Sequence, residues 1–326
     1  MLTDSYGRVA TDLRVSLTDR CNLRCSYCMP PEGLDWLAKP ELLTDDEVVR
    51  LTGVAVGLLG VTEVRFTGGE PLLRRGLPGI VARVAALRPR PEISLTTNGI
   101  GLNRLAEPLH QAGLDRINVS LDTLVPERFQ TLARRDRLDD VLAGLTAAAA
   151  TGLAPVKVNT VLMRGVNDDE IVDFARFGRE QGVTIRFIEF MPLDAEDRWQ
   201  RGSVVSSQEV LERVAAEFTI EEIAHGPEPA SRFRYTDGAG EIGVIASVTE
   251  PFCGSCDRVR ITADGQFRTC LFALDETDLR AIVRGGGSDD DLEAAVRAAV
   301  AGKWAGHQIG NVTFIRPPRS MSQIGG

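Results

Sequence analysis

Six strand-then-helix units fill the first two-thirds of this 326-residue chain and predict an α/β fold on a parallel sheet with right-handed crossovers. Two further observations refine that expectation. Polar residues collect at the carboxyl ends of the strands, where a parallel barrel would use them. Beyond residue 221 the alternation gives way to short strands separated by turns, which predicts a mostly antiparallel cap. The expected division is therefore 1–220 and 221–326.

The strands are expected at 13–17, 63–67, 92–96, 116–121, 156–162 and 184–190. Amphipathic segments at 44–59, 76–87, 102–112, 138–150, 169–181 and 206–217 supply the helices. Thr44 with Glu47 forms a capping box at the start of the first helix. In the cap, strands are expected at 232–236, 241–246, 259–263 and 266–272, with Asp264-Gly265 as a two-residue hairpin turn that sets Cys270 opposite Val259. Arg284-Gly285-Gly286-Gly287-Ser288 lacks the preceding strand and following Lys-Ser/Thr of a P-loop, so it reads as the loop before a helix at 290–302. Periodicity alone leaves a doubly wound sheet open as the alternative to a barrel.

A composition of 43% hydrophobic and 25% charged residues is that of a globular protein. The longest apolar stretch, 53–61, falls short of the roughly 18–20 residues that cross a bilayer, so no membrane partner is expected. A net charge of −9 argues against a nucleic-acid coat. The polar first twelve residues lack an apolar signal core, and a cytoplasmic chain with reduced thiols is the expectation.

Cys21, Cys25 and Cys28 are spaced C-x3-C-x2-C, giving an iron–sulfur cluster three thiolates and withholding the fourth. Electron carriers usually close a 4Fe–4S cluster with four cysteines, and structural zinc also wants four ligands. Cys253, Cys256 and Cys270 form a second incomplete set, C-x2-C-x13-C, and no cysteine is left over. An even cysteine count also suits disulfides, but a chain without a secretory signal usually keeps its thiols reduced.

The first triplet resembles that of the radical S-adenosylmethionine (SAM) superfamily, whose open iron chelates SAM. Gly68-Gly69-Glu70-Pro71, at the end of the second expected strand, resembles that superfamily's methionine-binding element, and Tyr27 holds the aromatic place beside adenine. With the second triplet, Arg258-Val259-Arg260 and the terminal Gly325-Gly326, nearly the whole chain resembles the GTP 3′,8-cyclase family. The resemblance implies an incomplete (βα)6 TIM-like barrel whose C-terminal cap carries a second cluster. It implies two 4Fe–4S clusters and SAM as cofactors, with SAM held by Tyr27, Gly69, Ser120 and Met191. It places GTP on Arg14, Arg65, Thr96, Lys157, Arg258, Val259 and Arg260, with Arg186, Gly325 and Gly326 in catalysis. Two arginines at alternate positions of one strand face the same side, which suits a triphosphate beside the second cluster.

The implied reaction starts when a flavodoxin- or ferredoxin-type reductant gives one electron to the first cluster. SAM splits to methionine and a 5′-deoxyadenosyl radical, which takes hydrogen from C3′ of GTP. The C3′ radical adds to C8 of guanine, and the reduced, protonated product passes to the next enzyme of molybdenum cofactor synthesis. The enzyme is expected as a monomer or homodimer. A peptide-modifying maturase with an auxiliary cluster shares the front motif, and an iron–sulfur electron carrier is the alternative outside SAM chemistry. His110, His225 and His307 are scattered along the chain and read as structural or exposed.

Overall fold

The computed structural model describes all residues except 195, 224, 225, 227, 312, 313 and 326. The expected units appear in order: β1 (Asp12–Ser16), α1 (Asp45–Gly57), β2 (Glu63–Thr67), α2 (Leu77–Ala85), β3 (Glu92–Thr97), α3 (Leu102–Gln111) and β4 (Arg116–Ser120). An unexpected short helix, α4 (Pro126–Ala133), follows β4; it starts on a proline at its first position and buries only Phe129, Leu132 and Ala133. Eight residues with so few apolar positions gave little period to read. The series then resumes with α5 (Leu138–Ala150), β5 (Val156–Leu162), α6 (Ile171–Gln181), β6 (Thr184–Glu189) and α7 (Ser207–Ala215).

The C-terminal strands are β7 (Ile220–Ile223), β8 (Ser231–Tyr235), β9 (Glu241–Ile245), β10 (Arg258–Ile261), β11 (Gln266–Arg268) and β12 (Thr277–Asp278). They do not stand apart from the first sheet. One twelve-stranded sheet runs β12-β11-β10-β1-β2-β3-β4-β5-β6-β9-β8-β7. β10 pairs parallel to β1 and β9 parallel to β6, so each borders one edge of the six-stranded repeat. The antiparallel portion is two wings, β7-β8-β9 and β10-β11-β12. Side chains from β1 through β6, β9 and β10 line one cavity, so the sheet is curled, yet β9 and β10 are not paired and the barrel stays open. That curl decides against the doubly wound alternative.

The register of the β10–β11 hairpin differs from expectation by one residue. Arg260 pairs with Arg268, which places Cys270 in line with Arg258 rather than Val259. The loop holds three residues: Thr262 donates to the Gln266 carbonyl, and its hydroxyl donates to Asp264, which favours the wider turn. Gly265 closes it at φ +80°, a left-handed conformation that favours glycine.

Alternation along the strands sorts the core from the site. Leu13, Val64, Phe66, Ile93, Leu95, Ile117, Val119, Val158, Ile185 and Phe187 are buried under the helices. Helices α8 (Leu279–Arg284) and α9 (Asp289–Ala301) cover the β10 side, where Leu292 and Val296 meet Leu13, Val259 and Ile261. The loops above the strands are held by buried carboxylates. Glu189, 2% exposed at the end of β6, accepts hydrogen bonds from the backbone N–H groups of Ser207, Val248 and Thr249 and from the Thr249 hydroxyl. Each buried donor left unpaired costs about 1–3 kcal/mol. Glu189→Ala is therefore expected to lose at least about 3 kcal/mol of stability in chemical denaturation, with the Glu189→Gln variant closer to wild type.

Candidate active site

The first cysteine loop follows β1 and is fixed by its neighbours. Arg24 and Ser26 donate backbone bonds to the carbonyls of Ala133 and Leu132, and Gly69 donates to Thr18 at 2.7 Å. A Cβ on Gly69 would stand 2.4 Å from the Asp19 and Arg20 carbonyl oxygens, so the turn must press directly on the loop. Glu70 accepts from Leu72, Asn98 and the Thr97 hydroxyl; Asn98 in turn reaches Asn22 and the Cys21 Sγ at 3.7 Å. Burial pushes Glu70 up to about 7 despite these donors. Three strand-end loops thus converge on Cys21.

All six cysteines are free thiols. Burial pushes Cys21 up to about 11 and Cys28 to about 12, and Cys25 rises well above its ordinary value from burial and then the Asp122 carboxylate. The mutual influence of these thiols places them together, as three ligands of one cluster require. Among the described residues no three His, Cys, Asp or Glu side chains close on a single metal ion; a 4Fe–4S cluster takes one thiolate per iron and needs its ligands spaced more widely than one ion does. Cys253, Cys256 and Cys270 share the wall of the cavity. Around Cys256, burial alone would raise the thiol, but Arg258 and Lys303 outweigh it and hold it below its usual value. The residues fit thiolate-held clusters in that all six thiols are free and the first loop is tied by backbone bonds to Leu132 and Ala133.

A cavity walled by the second triplet and reaching Tyr27 of the first cysteine loop is lined by Arg14, Arg65, Thr96, Ser120, Arg186, Met191, Arg258 and Arg260. Pairing explains the convergence, because Arg260, Arg14 and Arg65 are adjacent across β10, β1 and β2. Lys157 lines an adjoining pocket that shares Arg65 and Arg186 with the cavity. These cations have few counter-charges. Asp12 lies 3.8 Å from Arg14 and from Arg65, and Glu228 lies 2.6 Å from Arg186 and 3.8 Å from Lys157. Burial, then neighbouring arginines, pushes Arg14 well down, Arg260 to about 10 and Lys157 to about 8. The Arg14 Nε and Asn159 Oδ1 are buried without a partner. This is a site in want of an anion.

Two stretches match family models: residues 15–178 the radical SAM superfamily, and 183–309 the C-terminal region of molybdenum cofactor synthesis proteins. The GTP 3′,8-cyclase of Streptomyces coelicolor is 60% identical, over 100% of this chain and 96% of its own. The GTP 3′,8-cyclase 2 of Mycobacterium tuberculosis is 55% identical, over 100% and 92%. The chain belongs to the GTP 3′,8-cyclase family. Among solved structures, Streptococcus suis SuiB shares the fold at a TM-score of 0.65 and 14% identity, covering 91% of this chain and 68% of that one.

In this cyclase-family chain the first cysteine triplet and Lys157 lie outside the cavity lining, and so do three further expected site residues, Val259, Gly69 and Gly325. Val259 is 1% exposed, and its side chain packs in the core with Leu13 and Ile261, because it alternates with the two inward arginines. Gly69 serves the cysteine loop, as described above. Gly325 lies inside the barrel: its carbonyl accepts from Arg260 at 2.5 Å, and a Cβ there would meet Ser16 and Thr67 side chains at 3.0 Å. The tail helix α10 (Met321–Ile324) brings Met321 to the cavity and Ser322 to Cys28. Gly326 and His225 lie outside the described residues.

The sequence marks Asp122, just beyond β4, and Asn159, within β5, only as polar residues of the strands and gives them no ligand; both line the cavity, and Asp122 accepts from the Tyr27 hydroxyl at 2.7 Å. His307 also lines the cavity, contrary to its reading as a scattered histidine. Its Nε2 meets the Ser247 carbonyl at 2.8 Å and its Nδ1 accepts from Ile309, so the neutral Nε2–H tautomer satisfies both nitrogens. No spacing signal links it to the cysteines. Gly69→Ala is expected to displace the first cysteine loop and weaken SAM binding by more than about tenfold, a change of 1.4 kcal/mol; anaerobic equilibrium binding checks this, with GTP affinity as the control.

Proposed function

We propose that this chain is a GTP 3′,8-cyclase: it converts GTP to 3′,8-cyclo-7,8-dihydro-GTP, the first step of molybdenum cofactor synthesis. SAM yields 5′-deoxyadenosine and methionine in the same turnover. The observation that carries the reading is the row of inward arginines on β10, β1 and β2, in a cavity walled by the second cysteine triplet. A guanidinium fork suits phosphate oxygens, and each such bond is worth about 1.5–3 kcal/mol.

Cys21, Cys25 and Cys28 would hold one 4Fe–4S cluster, and Cys253, Cys256 and Cys270 the other. When bound, the first cluster with SAM would supply one-electron chemistry, and the second would supply a metal centre beside the substrate base. The chain's own task is placement. Arg14, Arg65, Lys157, Arg186, Arg258 and Arg260 would hold the triphosphate, with Thr96 near the nucleoside. Tyr27, Ser120 and Met191 would take SAM, with Asp122 fixing the Tyr27 ring. Gly325, bonded to Arg260, would seat the tail, and with Gly326 would keep water from the reacting carbons. A flavodoxin- or ferredoxin-type donor, the next pathway enzyme as recipient, a cytoplasmic setting and a monomer or homodimer complete the proposal, with residues 1–220 serving SAM and 221–326 the second cluster.

Anaerobic reconstitution followed by mass analysis with GTP and SAM tests the assignment. Cys25→Ala should abolish SAM cleavage, whereas Cys256→Ala should keep some uncoupled cleavage and make no cyclic product. Full cyclisation by Cys256→Ala would overturn the second site. The depressed Lys157 gives a pH signature: burial, then Arg186, lowers it to about 8, so its charge is lost as pH rises through that value. Phosphate prefers the charged form, so GTP affinity should fall between about pH 7.5 and 9. Lys157→Gln should weaken binding and flatten that limb; a flat wild-type profile would contradict the role.

A further inference from the structure

Lys303 follows α9 and is 5% exposed. Its ammonium has three N–H donors, and it has three contacts: the Arg258 carbonyl at 2.9 Å, the Cys256 carbonyl at 3.3 Å and the Cys256 Sγ at 3.8 Å. No carboxylate lies within ion-pair distance of it among the described residues. Arg8, which braces the same region through the Cys253, Trp304 and Ala305 carbonyls, differs in having Asp4 at 2.6 Å. A buried cation is ordinarily paired, because desolvation is costly. The side-chain contacts of Lys303 instead go to Cys256 and to Arg258 at the start of β10.

We propose that the second iron–sulfur cluster is itself the counter-ion of Lys303, and that Lys303 both fixes the Cys256 loop and raises that cluster's reduction potential. Three thiolates on a 4Fe–4S core leave the site anionic, and reduction adds a further negative charge beside the ammonium. A fixed cation with an N–H directed at a ligand sulfur favours the reduced state. Arg258 adds to the same field: its guanidinium lies 3.6 Å from the Cys256 Sγ and is held over the Phe252 ring at 4.6 Å. The first triplet has different surroundings: the Asp122 carboxylate, which accepts from Tyr27 at 2.7 Å, faces Cys25, and Glu70 acts on Cys21 against Arg24. Lys303 is a positioning residue, since the cavity lining does not include it.

The inference rests on the two-cluster reading, and the experiment separates the two. Wild-type protein, Lys303→Met, Lys303→Gln and Lys303→Arg are reconstituted anaerobically, assayed for iron, and titrated electrochemically with electron paramagnetic resonance detection. The second cluster is recognised as the signal that GTP perturbs. Wild-type iron for only one cluster would sink the two-cluster reading itself. With both clusters present, the Met and Gln variants should move only the second cluster to more negative potential, and Arg should restore it. If both neutral variants fail to hold the second cluster, retention by Lys303→Arg supports the charge role, and loss in all three alike overturns it. An unchanged second potential in either loaded neutral variant also overturns it.

Discussion

Arginines that face one another inside a barrel set the terms for the rest of this molecule. Two unit charges about 6 Å apart repel by roughly 3 kcal/mol at an effective dielectric of 20. Arg260, Arg14 and Arg65 sit side by side in register, with Asp12 the carboxylate among them at 3.8 Å from two. The ligand-free interior is therefore strained electrostatically, and stability has to come from elsewhere. The helix-covered outer face supplies it, where Val64, Ile93, Leu95, Ile117 and Phe187 are completely buried. A triphosphate held there, as proposed, would remove the strain, so the same arrangement that opposes folding would favour the substrate.

The two cysteine sites inherit different environments from their positions on the sheet. The first hangs from β1 above strand ends bearing Glu70 and Asp122, whose carboxylates oppose added negative charge. The second belongs to the β10 wing, where Arg258 and Lys303 favour it. The proposed chemistry, which would start at the first centre and end on the nucleotide beside the second, suits this asymmetry. The second triplet lines the cavity directly, and the first cysteine loop reaches it through Tyr27.

Much of this was legible in the chain. Six βα units gave the parallel repeat because amphipathic helices and β-branched strands differ sharply in period. The cysteine spacings marked two triplets, of which the fold sets Cys253, Cys256 and Cys270 on one cavity wall, and the arginines were legible as alternate strand positions. Pairing between distant segments was not. Nothing local tells β9 and β10 to run parallel to β6 and β1, so the cap looked separate. The Asp264-Gly265 register slipped by one because Asp264 binds Thr262 rather than sitting in a two-residue turn. Val259 was carried with its neighbours although alternation directs it outward. His307 and Lys303 lie in a stretch without period, and only the fold brings them to Cys256.

The unmet demand for anionic charge is tested most directly by unfolding the anaerobic two-cluster protein with equal concentrations of guanosine, GMP, GDP and GTP. Stabilisation should grow with each phosphate and shrink as salt is raised, because the ligand binds the native arginine row and salt screens it. Equal stabilisation by guanosine and GTP would contradict the account.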